Sequence, residues 1–172
     1  MNNDKSALNI YVYPNSVLRR TAEPIENINQ DTQSLVDRMV YTMYAAHGIG
    51  LAANQIGRLE RVIVFDLHPE DEGKNPCVLI NPEIVLKEGE MINEEACLSV
   101  VDFSAEVVRS AQVKVRGADR HGRPMDINAE GITAICLQHE IDHLNGTLYI
   151  DHISNLKRAL YKKKLKKKRE RK

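Results

Sequence analysis

Leu35, Val36, Met39, Val40 and Met43 recur at three- and four-residue intervals, with Asp37, Arg38 and Thr42 between them. That spacing predicts an amphipathic helix with Asp31 as its N-cap and Gly48 as its stop. Ahead of it, Ile10-Tyr11-Val12-Tyr13 reads as extended chain running into a turn at Pro14-Asn15-Ser16. Behind it the pattern shifts to short apolar runs at Arg61 to Asp66, Val78 to Asn81, Ile84 to Leu86, Val107-Val108 and Gln112 to Arg116, all read as strands. Asp119-Arg120-His121-Gly122 is a turn into Pro124 to Ile127, which closes a hairpin. A second helix starts near Ile132, ends at Leu144 or Asn145 and stops at Gly146. It is apolar on more than one face, so it packs on several sides. Ser154 then caps a last helix, with Leu156 and Leu160 on its inward face, that runs into lysines.

Separate runs of strand and helix, without strict alternation, predict an α+β fold: antiparallel or mixed sheets packed around the central helix, with a further helix at the C-terminus. The length of 172 residues suits one core. The division read from the sequence is a catalytic domain over 1–156 and a basic helical tail over 157–172.

Composition changes the picture in two places. The formal charge of zero hides a separation, because residues 157–172 hold eleven of the 24 Lys and Arg and only Glu170 of the 24 acids. The tail therefore carries +10 and the body −10. Such an end suits a polyanionic partner, and it equally suits the solvated, cation-rich terminus of a helix. The cysteines Cys77, Cys97 and Cys136 are odd in number and widely spaced, which argues for reduced thiols and a cytoplasmic location. The opening MNNDKSALNI has no basic segment followed by an apolar one, and no stretch approaches the roughly 20 apolar residues of a membrane span.

The candidate chemistry lies on the second helix. In His139-Glu140-Ile141-Asp142-His143 two histidines four apart project from one face, where both imidazoles reach one metal ion. Glu140 flanks that face, placed to act on a metal-activated water. A third histidine at 149 would extend the pattern, but that position holds Tyr149. Downstream acids are limited to Asp151 and Glu170, so the third ligand comes from upstream. Cys97 is the best candidate, because a thiolate binds a borderline divalent metal strongly and it follows a loop after the strands. Cys136, one turn before His139, is better placed to line a pocket. His47, His68, His121 and His152 sit in turns or at element ends and read as surface histidines.

Three separated segments resemble the motifs of peptide deformylases: Gly48-Ile49-Gly50-Leu51-Ala52-Ala53-Asn54-Gln55-Ile56-Gly57, Glu95-Ala96-Cys97-Leu98-Ser99, and Gln138-His139-Glu140-Ile141-Asp142-His143-Leu144-Asn145-Gly146. The resemblance implies removal of the formyl group from N-formylmethionyl nascent peptides. It implies Cys97, His139 and His143 as metal ligands, Glu140 as acid and base, and the Gln55 amide with the Leu98 backbone N–H as oxyanion donors. Ile49 and Gly50 would hold the methionine main chain, with Ile135, Cys136, His139 and Ile49 around its side chain. Glu95 and Arg109 resemble an ion pair bracing the Cys97 segment. The implied metal is iron(II) in the cell, and a Cys/His/His set also suits zinc, nickel or cobalt. The tail resembles a ribosome-docking extension, and the expected assembly is a monomer. Ala96, Val101 and Ser104 depart from the family pattern, with Ala96 adding a methyl beside the peptide path. The alternative from another class is a ribosome-associated binding module with weak or no turnover. Intact Glu140 and Gln55 argue against it, and the lack of a downstream ligand argues against a general zinc endopeptidase.

Overall fold

The computed structural model describes residues 6–68 and 74–170. Residues 1–5, part of the segment read as lacking a leader, and residues 171–172 of the basic tail lie outside the described residues. In chain order the elements are α1 (Gln30–Ala45), β1 (Gly50–Ala52), β2 (Val62–Phe65), β3 (Cys77–Glu88), β4 (Met91–Cys97), β5 (Val100–Arg109), β6 (Gln112–Ala118), β7 (Pro124–Glu130), α2 (Gly131–Leu144) and α3 (Asn155–Glu170). Five strands form an antiparallel sheet in the order β1-β2-β3-β6-β7, and β4 and β5 form a separate two-stranded hairpin. This is the α+β architecture expected from the pattern.

Alternation along the strands explains why helices lie against both sides of the sheet. Val62 and Val64 of β2, with Val78 and Ile80 of β3, pack against Leu35, Val36, Met39 and Met43 of α1. Ile63, Phe65 and Leu79, which alternate with them, pack against Ala134, Cys136, Leu137, Ile141 and Leu144 of α2. All four residues of β2 are buried, although the strand is short. Burying a Val or Leu side chain contributes about 1.5–3 kcal/mol, so β2 anchors both layers at once. The helix α2 is thus held in the interior, with ten of its fourteen residues buried.

Four sequence expectations need correction. The N-cap of α1 is Asn29, whose side chain accepts hydrogen bonds from the Asp31 and Thr32 N–H groups at 3.0 and 3.1 Å. Asp31 lies in the first turn, where its charge suits the helix dipole. The two strands expected around Pro82 are one strand, β3, with register shifts where Pro82 cannot donate to the ladder. There Asn81, at φ +52°, turns its amide to Ile25, accepting from the N–H and donating to the carbonyl at 2.8 Å each. Cys97, expected to follow a loop after the strands, is itself the last residue of strand β4. Finally, Leu156 and Leu160 are exposed, and Tyr161 and Leu165 face inward instead. Tyr161 is buried and stacks on Phe103 of β5 at 4.5 Å between centroids. An aromatic ring one position beyond Leu160 thereby rotates the buried stripe. Ser154 does cap α3, accepting the Lys157 N–H on its hydroxyl at 3.3 Å.

Candidate metal centre and active site

The buried helix delivers His139, Glu140 and His143, and the end of β4 delivers Cys97. The β4–β5 ladder shifts register between Ala96 and Cys97, so that Cys97 pairs with Val100. Such a bulge re-aims a side chain, and here it belongs to the strand end that brings Cys97 to the helix. Donor atoms of Cys97, His139 and His143 all lie within 4.8 Å of one another, with Cys97 Sγ 3.2 Å from His143 Nε2. Cys136 is outside this cluster. Burial, and then the charges of Glu140 and Glu95, push its thiol well above the usual range, so it remains a neutral lining group.

The donor set fits a cation. His139 and Glu95 share a hydrogen bond of 2.8 Å between Nδ1 and Oε2, which assigns the donor proton to Nδ1 and turns Nε2 towards the cluster. Burial opposes a charge on His139, but Cys97 and Glu95 outweigh it and hold the imidazole well above its ordinary range. The surrounding field therefore favours positive charge at this spot. His143 is pushed the other way, by burial first and then by His139, and stays a neutral imidazole able to offer a lone pair. One sulfur and two imidazoles suit zinc or another borderline divalent ion.

Around the donors the acid and the amide are held in place. Glu140 is buried, its Oε2 has no protein partner, and burial above all pushes its pKa up to about 7, with Glu95 adding to the rise and His139 and Arg109 opposing it. A buried oxygen without a partner calls for a water or a substrate proton. Gln55 Oε1 accepts the Ala52 N–H at 2.9 Å. Its Nε2 consequently points to the site, 3.6 Å from Cys97 Sγ and 3.2 Å from Ser99 Oγ. Ser99 is fully buried and also donates its N–H to Cys97 Sγ at 3.4 Å. The sequence assigns Ser99 no role beyond its place in a motif; its neighbour Cys97 is the available signal.

A larger network backs the three donors. Arg109 grips Glu95 with two hydrogen bonds of 2.7 and 3.0 Å in a buried pair. Its remaining NH1 reaches Asp142 at 2.5 Å, and His152 Nε2 lies 2.7 Å from the same carboxylate oxygen. The expectation of an ordinary surface histidine at 152 needs correction: His152 is exposed, but it belongs to this network because the fold brings it against α2. Asp142 carries a signal, since an acid on an apolar helix needs a partner, whereas nothing near His152 in sequence marks it.

The site opens into a cavity of about 410 Å³ lined by Ile49, Gly50, Ile135, Cys136, Leu98 and Gln55 among others, which gathers the expected substrate-side residues. Ile132, half exposed at this cavity, is not marked by any sequence motif. Gly50 has a reason beyond backbone access: a Cβ there would lie 2.4 Å from Glu140 Oε1.

The chain is similar to known proteins over most of its length. The family described as Polypeptide deformylase matches residues 7–159. A peptide deformylase of Thermodesulfovibrio yellowstonii is 51% identical over 162 residues, covering 94% of this chain and 98% of its own. Among solved structures, a peptide deformylase from Legionella pneumophila superposes with a TM-score of 0.89 at 43% identity, covering 96% of both chains. One from Synechococcus elongatus, in complex with actinonin, gives 0.87 at 38% identity, covering 95% of this chain and 91% of that one. The chain belongs to the polypeptide deformylase family, metal-dependent enzymes that remove the N-formyl group from formylmethionyl peptides.

Proposed function

We propose that this chain deformylates nascent peptides with Cys97, His139 and His143 as ligands, Glu140 as acid and base, and Gln55 and the Leu98 N–H as oxyanion donors. The observation that carries the assignment is that Glu140, with its partnerless oxygen, and Gln55, with its amide aimed at Cys97, line one cavity with Cys97 and His139 of the three clustered donors. When bound, a divalent ion would polarise the formyl carbonyl and lower the pKa of a water to about 7. Glu140 takes the proton of the attacking water and returns it to the departing amine. As the carbonyl oxygen gains charge, Gln55 Nε2–H and the Leu98 N–H donate to it. The hold of Ala52 on Gln55 Oε1 means that little reorientation is needed at that moment.

Ile49 and Gly50 border the peptide main chain on one side, and Ile135 and Cys136 receive the methionine side chain. An apolar, unbranched thioether suits that wall. The ion in the cell is iron(II), with zinc, nickel or cobalt able to replace it, since the donor set accepts each. The enzyme works as a cytoplasmic monomer; residues 1–156 form its catalytic domain, and the basic stretch 157–172 docks on ribosomal RNA. The charge on α3 supports this last reading, because its basic residues outnumber Glu170, the single acid in the helix. Among the described residues no helix is long and apolar enough to cross a membrane.

Formate release from formyl-Met-Ala-Ser by the metal-loaded protein tests the reaction, with cleavage of an internal peptide bond as the control. Glu140→Ala should retain the metal and lose roughly 10²–10⁴-fold in turnover. Wild-type turnover in that variant would remove Glu140 from the mechanism. Metal analysis of anaerobically purified protein tests the choice of iron.

A further inference from the structure

We propose that Asp142 and His152 form an outer clamp that positions the ligand His139, which makes both of them positioning residues for the deformylase reaction assigned above. The hydrogen bonds run without a break. His139 Nδ1 meets Glu95 Oε2 at 2.8 Å, Glu95 is gripped by Arg109 at 2.7 and 3.0 Å, Arg109 NH1 meets Asp142 Oδ2 at 2.5 Å, and His152 Nε2 meets that oxygen at 2.7 Å.

Each step is constrained by burial or by chemistry. Glu95 and Arg109 are almost wholly buried, so a guanidinium N–H left without Asp142 loses a charged acceptor that water replaces poorly. The guanidinium would tilt towards a new acceptor and loosen its fork on Glu95, and the imidazole would lose its fixed acceptor. Asp142 is a carboxylate acceptor, so Nε2 of His152 carries the proton it donates; the 3.4 Å approach of Arg109 NH1 to Nε2 is then proximity and not a second bond. His152 covers the exposed flank of the Asp142 carboxylate. Neither residue lines the substrate cavity, so the clamp acts on the ligand and leaves the peptide-binding wall alone.

The test uses the full chain with Asp142→Asn, His152→Phe and His152→Gln. Zinc affinity of the metal-free protein, by competition with a chelator, should fall about 10–100-fold in Asp142→Asn, the scale of losses behind a ligating histidine. In His152→Phe it should fall about three- to tenfold, the loss of one charge-assisted hydrogen bond at a part-exposed site. His152→Gln keeps an N–H donor and should restore most of the affinity. The visible spectrum of cobalt-loaded protein should shift in the first two variants and not in the third, while kcat falls and KM for formyl-Met-Ala-Ser holds. Wild-type affinity and spectrum in either Asp142→Asn or His152→Phe overturns the clamp, as does an equal loss in His152→Gln. If Asp142→Asn does not fold by circular dichroism, the His152 pair carries the decision. Absence of formate release from the wild type would count against the activity, and affinity and spectrum would still judge the clamp.

Discussion

Gly50 and Glu140 fit together so closely that a methyl group at position 50 would overlap the Glu140 carboxylate. A Cβ on Gly50 would stand 2.4 Å from Glu140 Oε1 and 2.9 Å from its carboxyl carbon. Glu140 is buried on the central helix and lines the cavity, so the carboxylate would yield by moving within the site. Gly50→Ala should therefore displace the carboxylate from the reacting water and reduce turnover roughly 10²-fold or more, as removal of a general base does. Metal content should stay stoichiometric, because no ligand moves. Near-normal kcat in a folded, metal-replete Gly50→Ala protein would show that Glu140 tolerates the shift.

Much of this site is legible in the sequence because helical geometry alone puts His139 and His143 on one face and Glu140 beside them. Cys97 follows from the shortage of other ligands. Its setting at a strand end is hidden because Met91 to Cys97 alternates weakly: the outward residues, Ile92, Glu94 and Ala96, are exposed, and the inward Glu95 is charged. A strand whose buried face holds an ion pair shows no apolar period. His152 is illegible for a different reason. Its partner Asp142 is ten residues away and reached only after the chain turns through Tyr149–Asp151.

The two nearby thiols should separate cleanly by metal retention. Cys97→Ala removes a donor from a cluster of three and should abolish stoichiometric metal binding, whereas Cys136→Ala should retain the ion and change mainly the KM for methionine-headed peptides. Atomic absorption on the purified proteins reads the difference. Full metal in Cys97→Ala would promote Cys136 to ligand.

Arg109 should be the costliest single truncation behind the cluster of Cys97, His139 and His143. Removing one side of a buried pair strands the other charge, at about 3–5 kcal/mol. Arg109→Met should accordingly lower the melting temperature sharply, and the double change with Glu95→Leu should recover part of the loss. A double variant no more stable than Arg109→Met would argue that Glu95 is not stranded.

Acid stability should depend on Asp66. Burial would raise its carboxyl, but the Tyr44 hydroxyl at 2.5 Å and the N–H groups of His68 and Asn75 at 2.9 and 3.0 Å outweigh it and hold the pKa below the usual range. A depressed pKa contributes stability that is complete above the unfolded value, about 3.9 for Asp, and is lost as pH falls through the folded value. The wild type should thus lose melting temperature below about pH 4 more steeply than Asp66→Asn, which starts lower and has no such carboxylate to protonate. Parallel curves for the two proteins would show that Asp66 does not titrate on unfolding.

The basic tail needs a gentler test than truncation. Tyr161 is buried against Phe103, and Lys164 and Lys168 bond to Asp102, so deleting residues 157–172 would strip a packed helix from the body as well as its charge. Lys162, Lys163, Lys166 and Lys167 are exposed and lie off that interface. Replacing these four with Gln keeps helix propensity and the inward face while removing four positive charges. If α3 docks on ribosomal RNA, each phosphate that is no longer neutralised should flatten the dependence of log K on log salt by about 0.7–0.9, and co-sedimentation with ribosomes should weaken at low salt. Turnover of formyl-Met-Ala-Ser should be nearly unchanged, because none of the four lines the cavity. Undiminished, salt-sensitive ribosome binding by the four-fold variant would return these lysines to the role of a solvated helix face.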